Sequence, residues 1–237
     1  MVTGPFINAG AVLLGGVLGA LLSQRLPERI RTSMTSIFGL ASLGIGILLV
    51  VKCANLPVMV LATLLGALIG EFCYLEKGIN SAVSRAKNMI TRPGKAKHGT
   101  HETFIQNYVA IIILFCASGT GIFGSMQEGM TGDPGILIAK AFLDFFTATI
   151  FATTLGIAVA AICVPMLLIQ LALATCATLI LPLTTPAMMA DFTAVGGLLL
   201  LATGLRICGI KMFAVVNMLP ALLLAMPLSA LWTHFFA

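Results

Sequence analysis

Lys140 and Asp144 are the only charged residues in the apolar run 135–164. Four positions apart on a helix, they share one face and can neutralise each other. A charge at membrane depth costs about 2.5–3.5 kcal/mol on insertion scales, so two of them in such a run ask for a reason. One reading is an intrahelical ion pair that makes insertion tolerable. The other is a proton or ion relay in which Asp144 changes partner as an ion or solute enters. Thr147, Thr153 and Thr154 add hydroxyls to the same run, and apolar residues would serve a merely structural pair equally well, so the relay reading is preferred. Asn55 and Asn217 are each followed within three residues by a proline, Pro57 and Pro220. Proline removes a backbone donor and frees a carbonyl. Inside a bundle, free carbonyls and an Asn amide can hold a cation or polar solute; at a membrane edge the same pattern caps a helix. Capping is the stronger reading for Asn55, beside Lys52, and the two are balanced for Asn217. Glu71 follows Gly66 and Gly70 at the end of an apolar run, where it either pairs with a nearby base or lines a vestibule. Asn8, near the start of the first apolar run, reads as a cap.

Two suggestive motifs fail on context. Gly119-Thr-Gly121-Ile-Phe-Gly124 fits a dinucleotide-binding pattern but lies in an apolar run with no strand before it, so packing or a kink explains the glycines. His98-Gly-Thr-His101-Glu102 has Gly99 where a zinc-protease helix needs Glu, and a loop is the simpler reading. The six cysteines are scattered singly, as small apolar residues are. No cofactor, metal site or nucleophile–base constellation is expected, and no enzyme.

These residues must be positioned by membrane helices. The chain is 59% hydrophobic and 9% charged, against roughly 25% charged in soluble domains. Its apolar runs reach the roughly 20 residues that cross a bilayer. Hydropathy predicts eight spans, over 6–22, 36–51, 56–75, 104–125, 135–164, 165–183, 192–210 and 216–236. The first lacks a basic run before it and is expected to stay uncleaved. The fifth is long enough to tilt or to break near Gly156, which leaves seven or nine crossings as alternatives. Arg25, Arg29, Arg31, the bases of 76–103, Arg206 and Lys211 all fall on one side of the eight-span arrangement. The positive-inside rule makes that side cytoplasmic and both termini periplasmic, with Glu128, Asp133 and Asp191 outside.

The linker 76–103 carries Ile79, Val83, Ala86 and Ile90 at helical spacing with Arg85 and Lys87 off that stripe. It is either an interfacial helix held by anionic lipid headgroups or a solvated basic loop. Nucleic acid is not an expected partner, because the bases are few and no aromatic stacking residues accompany them. The bilayer and a small ion or polar solute are; a homo-oligomer is compatible with the Gly-x-x-x-Gly pairs.

The two ends of the chain resemble each other. Shifted by 158 positions, Thr35-Ser-Ile-Phe-Gly39-Leu40 falls on Thr193-Ala-Val-Gly-Gly197-Leu198, Leu43 meets Leu201 and Gly46 meets Gly204. After a short insertion Asn55-Leu-Pro57 meets Asn217-Met-Leu-Pro220. Spans one to three thus correspond to six to eight. An odd number of spans separates counterparts, so the copies would be inverted, a layout common in secondary transporters. Phe6-Ile-Asn8, Gly15-Gly-Val-Leu-Gly19, Gly66-Ala-Leu-Ile-Gly70-Glu71, Gly132-Asp133, Lys140-Ala-Phe-Leu-Asp144, Gly196-Gly197 and Asn217-Met-Leu-Pro220 resemble, over nearly the whole chain, the YqgA/YdfK family of bacterial membrane proteins, nearest to its enteric members. That resemblance implies an inner-membrane location and brings no substrate.

The expectation is therefore an all-α polytopic transmembrane helix bundle. Residues 1–75 form a first repeat, 76–103 a linker, 104–164 central spans and 165–237 a second repeat. Its expected work is movement of a small ion or polar solute, with Asp144, Lys140, Asn217, Asn55 and Glu71 as binding residues. A non-transporting scaffold, sensor or lipid-binding protein is the alternative.

Overall fold

The computed structural model describes residues 2–22, 27–78 and 118–236, together with residues 81, 108, 111, 112, 115 and 116. Among them every regular element is helical: α1 (Gly4–Leu22), α2 (Glu28–Val50), α3 (Leu56–Phe72), α4 (Gly119–Thr131), α5 (Gly135–Leu155), α6 (Cys163–Ile180), α7 (Pro186–Ile207), a short α8 (Val215–Met218) and α9 (Pro220–Phe236). Tight helical turns, Gly156–Ile162 and Leu181–Leu183, flank α6. Among the described residues five stretches are long and apolar enough to cross a membrane: Gly4–Leu22, Gly135–Thr153, Gly156–Leu183, Pro186–Ile207 and Val215–Phe236. Ser36–Val50 and Leu56–Phe72 are shorter apolar helices. The interfacial helix expected over 79–90, apart from residue 81, and His98 and His101 lie outside the described residues.

Helix ends are written into the sequence. Thr185 caps α7, accepting the Met188 N–H, with Pro186 in the first turn, as its missing donor and fixed φ permit. The fifth expected span does break at Gly156, whose φ of 68° stops α5. From there the chain turns back, since α1 runs beside both arms: Gly15 and Gly19 face Phe145 and Thr149 in ascending order, while Gly16 and Asn8 face Ala160 and Met166 in descending order. So α1 and α5 are parallel and α6 is antiparallel to both.

The same reading orients the rest. Gly39 lies against Gly204 and Gly46 against Gly197, making α2 and α7 antiparallel. Gly66 lies against Ala221 and Gly70 against Asn217, making α3 antiparallel to the Val215–Phe236 segment. Two contacts join residues 158 positions apart: Ser42 Oγ donates to the Leu200 carbonyl at 3.0 Å, and Asn8 Nδ2 to Met166 Sδ at 3.5 Å.

Leu14, Leu40, Leu64, Leu168 and Leu223 are exposed, and glycines and polar side chains face inward. An apolar coat of this extent suits lipid rather than water. Two cores result. One, around Phe123, Phe192, Leu199 and Leu222, joins α3, α4, α7 and α9. The other, around Val12, Phe115, Ala148, Val159 and Met166, joins α1, α5 and α6.

Candidate functional site

Lys140 and Asp144 are paired and buried on α5, as their spacing predicts. What surrounds them was only partly foreseeable. Span four was expected over 104–125, with packing or a kink at its glycines, and a helix starts inside that run. Ser118 is its N-cap, with extended backbone and a hydroxyl accepting the Gly121 N–H at 3.1 Å. The helix, α4, then runs past the expected edge to Thr131 and stops at Gly132, where φ is 74°. Its 13 residues span about 20 Å. The N-terminal turn of α4 is therefore held well inside the bundle, at the Lys140–Asp144 pair. A Cβ built on Gly121 would lie 2.9 Å from Lys140 Cε and 3.4 Å from Gln170 Nε2. The Lys140 ammonium stands 5.9 Å from the Phe115 ring centre, within cation–π range.

Two amides complete the cluster. Gln170 of α6 is 2% exposed, and among the described residues neither its Nε2 nor its Oε1 has a hydrogen-bond partner. Asn8 of α1 is fully buried and within hydrogen-bonding reach of Asp144, and its Oδ1 likewise has no described partner. Buried polar atoms are nearly always paired, and leaving one unmade costs about 1–3 kcal/mol. Three such atoms beside an ion pair and a helix N-terminus mark a place that is polar by design. Lys140, Gln170 Nε2 and the first N–H groups of α4 are donors; Asp144, Asn8 Oδ1 and Gln170 Oε1 are acceptors. Asn8 had read as a cap, yet α1 begins at Gly4 and the cap is supplied by Glu128, which accepts the Thr3 and Gly4 N–H groups at 2.7 and 2.9 Å. Gln170 was missed; its signal is a lone amide in an otherwise apolar run.

The other expected site residues lie elsewhere, at opposite ends of α3. At its start, Asn55 is the N-cap residue, but its side chain makes no capping bond. Asp191 of α7 does that work, accepting the Ala54 and Asn55 N–H groups at 3.1 and 2.7 Å and Asn55 Nδ2 at 3.0 Å. Ser229 of α9 donates to the same carboxylate at 2.7 Å, and the Cys53 thiol lies 3.7 Å away. Burial, and then the Asp191 charge, push that thiol above its ordinary range. Asp191 was expected outside the spans. Instead α7 starts six residues before the predicted edge at 192 and buries it completely.

At the far end of α3, Asn217 Nδ2 donates to Glu71 at 2.7 Å, and Asn217 Oδ1 accepts the Glu76 N–H at 2.7 Å. Arg206 pairs with Glu76 at 2.8 Å and donates to the Phe213 carbonyl at 3.0 Å. Among the described residues Glu71 meets Asn217; the linker bases expected as its partners, Lys77 apart, lie outside them. The five expected residues form three separate groups, and the Lys140–Asp144 group lies against the start of α4.

Asp191→Ala would orphan two backbone donors, an amide and a hydroxyl at once. We expect a loss of about 2 kcal/mol in unfolding experiments in detergent, larger than for Ser229→Ala, which removes one donor.

Residues 3–230 match the family described as "Protein of unknown function (DUF554)". The chain is 80% identical to "Uncharacterized protein YqgA" of Escherichia coli (strain K12) over 237 residues, the whole of both chains. It is 24% identical to "Uncharacterized membrane protein YdfK" of Bacillus subtilis (strain 168) over 225 residues, 93% of each chain. No solved structure matches. With a family match over nearly its full length and apolar helices that fit a membrane protein, the chain belongs to the DUF554 family.

Proposed function

We propose that the protein moves a small ion or polar solute across the bacterial inner membrane, through the cluster of Asn8, Lys140, Asp144, Gln170 and the first turn of α4. The observation that carries this reading is a half-helix N-terminus held inside the bundle against a buried ion pair and three amide atoms without described partners. Discontinuous helices that end at midplane are how secondary transporters expose backbone groups to a substrate.

An inverted repeat supports it. A two-fold axis between copies makes residue i meet j while j meets i, and makes residues on the axis meet their own counterparts. Counterparts here are 158 positions apart. Gly39 and Gly46 face Gly204 and Gly197 in swapped order, and the Ser42–Leu200 and Asn8–Met166 contacts each join counterparts. Because both helix pairs are antiparallel, the axis would lie in the membrane plane. In the eight-crossing arrangement, with α4 in span four, directions alternate and both termini come to the side of Glu128 and Asp191. Reporter fusions at the C-terminus and within 76–103 should read periplasm and cytoplasm respectively. A cytoplasmic C-terminus would end the eight-span arrangement and the inversion with it.

The transport reading is tested by reconstituting the full chain in vesicles and following small ions and polar solutes, with Lys140→Met/Asp144→Leu as the control. Flux above empty vesicles that the double variant loses supports it; no flux of any probe defeats it. A second reading, lipid binding without transport, is favoured by a cleft of about 490 Å³ between Leu18, Met34, Phe145 and Ile150, whose apolar walls suit an acyl chain.

A further inference from the structure

The cluster around Lys140 and Asp144 has a sign as well as a place, and on the transport reading it narrows the substrate. Beside Gly121 stand the Lys140 ammonium, the Gln170 amide nitrogen and the first turn of α4, all donors, while Ser118 Oγ is already engaged with the Gly121 N–H. A helix N-terminus carries a partial positive charge and favours anions. A cation would face that end and Lys140 together. An anion, in contrast, meets both favourably, and the buried Gln170 amide, with no described partner, is aimed at the same turn. The site is also small. A single methyl on Gly121 would lie 2.9 Å from Lys140 Cε, 3.0 Å from Ser118 Oγ and 3.4 Å from Gln170 Nε2. That is closer than unstrained contact, so even one added atom requires Lys140 or Gln170 to swing aside, and the volume these two side chains can vacate limits the ligand to a few heavy atoms.

Charge then dictates what must travel with it. An anion added beside an intact Lys140–Asp144 pair leaves one buried negative charge uncompensated, which the low-dielectric interior penalises by several kcal/mol. If Asp144 takes up one proton, Lys140 leaves the carboxyl and pairs with the anion instead. The loaded site then holds one ammonium, one anion and one neutral acid, and its net charge is unchanged. The titratable or charged groups facing Asp144 among the described residues are Lys140 on its own helix and Cys116 from the segment before α4. Asn8 of α1 and Gln170 of α6 carry no charge. Asp144 is therefore the acceptor for the proton. We infer that the transported species is a small monovalent anion, of the size of a halide, nitrate or formate, accompanied by one proton.

The test uses the full chain in two measurements. In proteoliposomes, an acidic exterior should drive uptake of chloride, nitrate or formate several-fold above empty vesicles, with internal acidification in step with the anion. In detergent, Asp144→Asn, which holds the site in its neutral-acid form, should be stabilised by chloride or nitrate over gluconate at equal ionic strength. Lys140→Met/Asp144→Leu should show no such response. Flux of sodium, potassium or a neutral solute without anion would overturn the anion assignment and leave the transport reading standing. Anion flux without proton movement would overturn the coupling. An equal anion response in the double variant would remove Lys140 from the site, and no flux of any probe would overturn the inference and the transport reading together.

Discussion

Asp144→Asn is expected to cost the folded bundle about 3–5 kcal/mol, because it leaves the Lys140 ammonium buried without its counter-charge. Lys140→Met combined with Asp144→Leu should recover most of that loss, since replacing both members of a buried pair by apolar groups of similar volume is often neutral or better. The comparison is made by unfolding each variant in detergent and constructing the double-mutant cycle. Stability alone does not separate the readings of the pair, since recovery in the double variant follows from either. Flux does. A double variant as stable as the parent yet silent in vesicles places the pair in the transport path; one that is stable and still active removes it. Lys140→Met alone should be milder than Asp144→Asn, because Asp144 can shed its charge by taking up a proton and Asn8 lies within reach of it.

A comparable loss is expected from adding side chains to α1. A Cβ on Gly19 would sit 2.2 Å from the Thr149 carbonyl oxygen, and one on Gly15 would sit 2.3 Å from that of Phe145. Both obstacles are backbone, which no rotamer change can move. Gly19→Leu must therefore push α1 away from α5 along the whole contact, at a cost of about 3 kcal/mol or more. Gly10→Ala and Gly44→Ala serve as controls. Neither position has any atom within 4 Å of the added methyl, so the gain in helix propensity should leave stability unchanged or raise it by up to about 1 kcal/mol. Unfolding in detergent measures all three against the parent. A Gly19→Leu variant as stable as the parent would show that α1 and α5 do not pack as described.

The parts of this architecture legible in the sequence are those that depend on neighbours along the chain. The Lys140–Asp144 pair follows from four-residue spacing on one helix, and the break at Gly156 from the only residue type that adopts its φ cheaply. The close helix contacts at Gly15, Gly19, Gly66 and Gly70 follow from small residues at matched spacing. What escaped depends on distance in sequence or on the absence of charge. Asp191 could not be joined to Asn55 and Ser229 without knowing that the starts of α3 and α7 lie side by side. Hydropathy set the edge of α7 at 192, although Thr185-Pro186 is a stronger start signal than any hydropathy threshold. Gln170 passed unremarked because a neutral amide barely changes the mean hydropathy of its window, and Asn8 was read as a cap because its partners lie on other helices. The start of α4 was hidden for the same reason: Ser118 and Gly119 interrupt an apolar run too briefly to register.

The tie between Glu128 and the start of α1 sets a timetable for assembly. Helix α1 is synthesised before the partners it packs on: its free N–H groups are satisfied by a residue 124 positions later, and the backbone it packs on extends from Phe145 to Ala160. At about 5–20 residues per second, synthesis reaches that partner only some ten seconds after α1 is complete. Through that interval α1 waits in the membrane with its glycine face covered by lipid or by insertion machinery. Chains truncated before residue 128 should hold a protease-sensitive N-terminus, and chains extended past residue 166 a protected one. Helix α1, made before the partners it packs on, is among the last to settle.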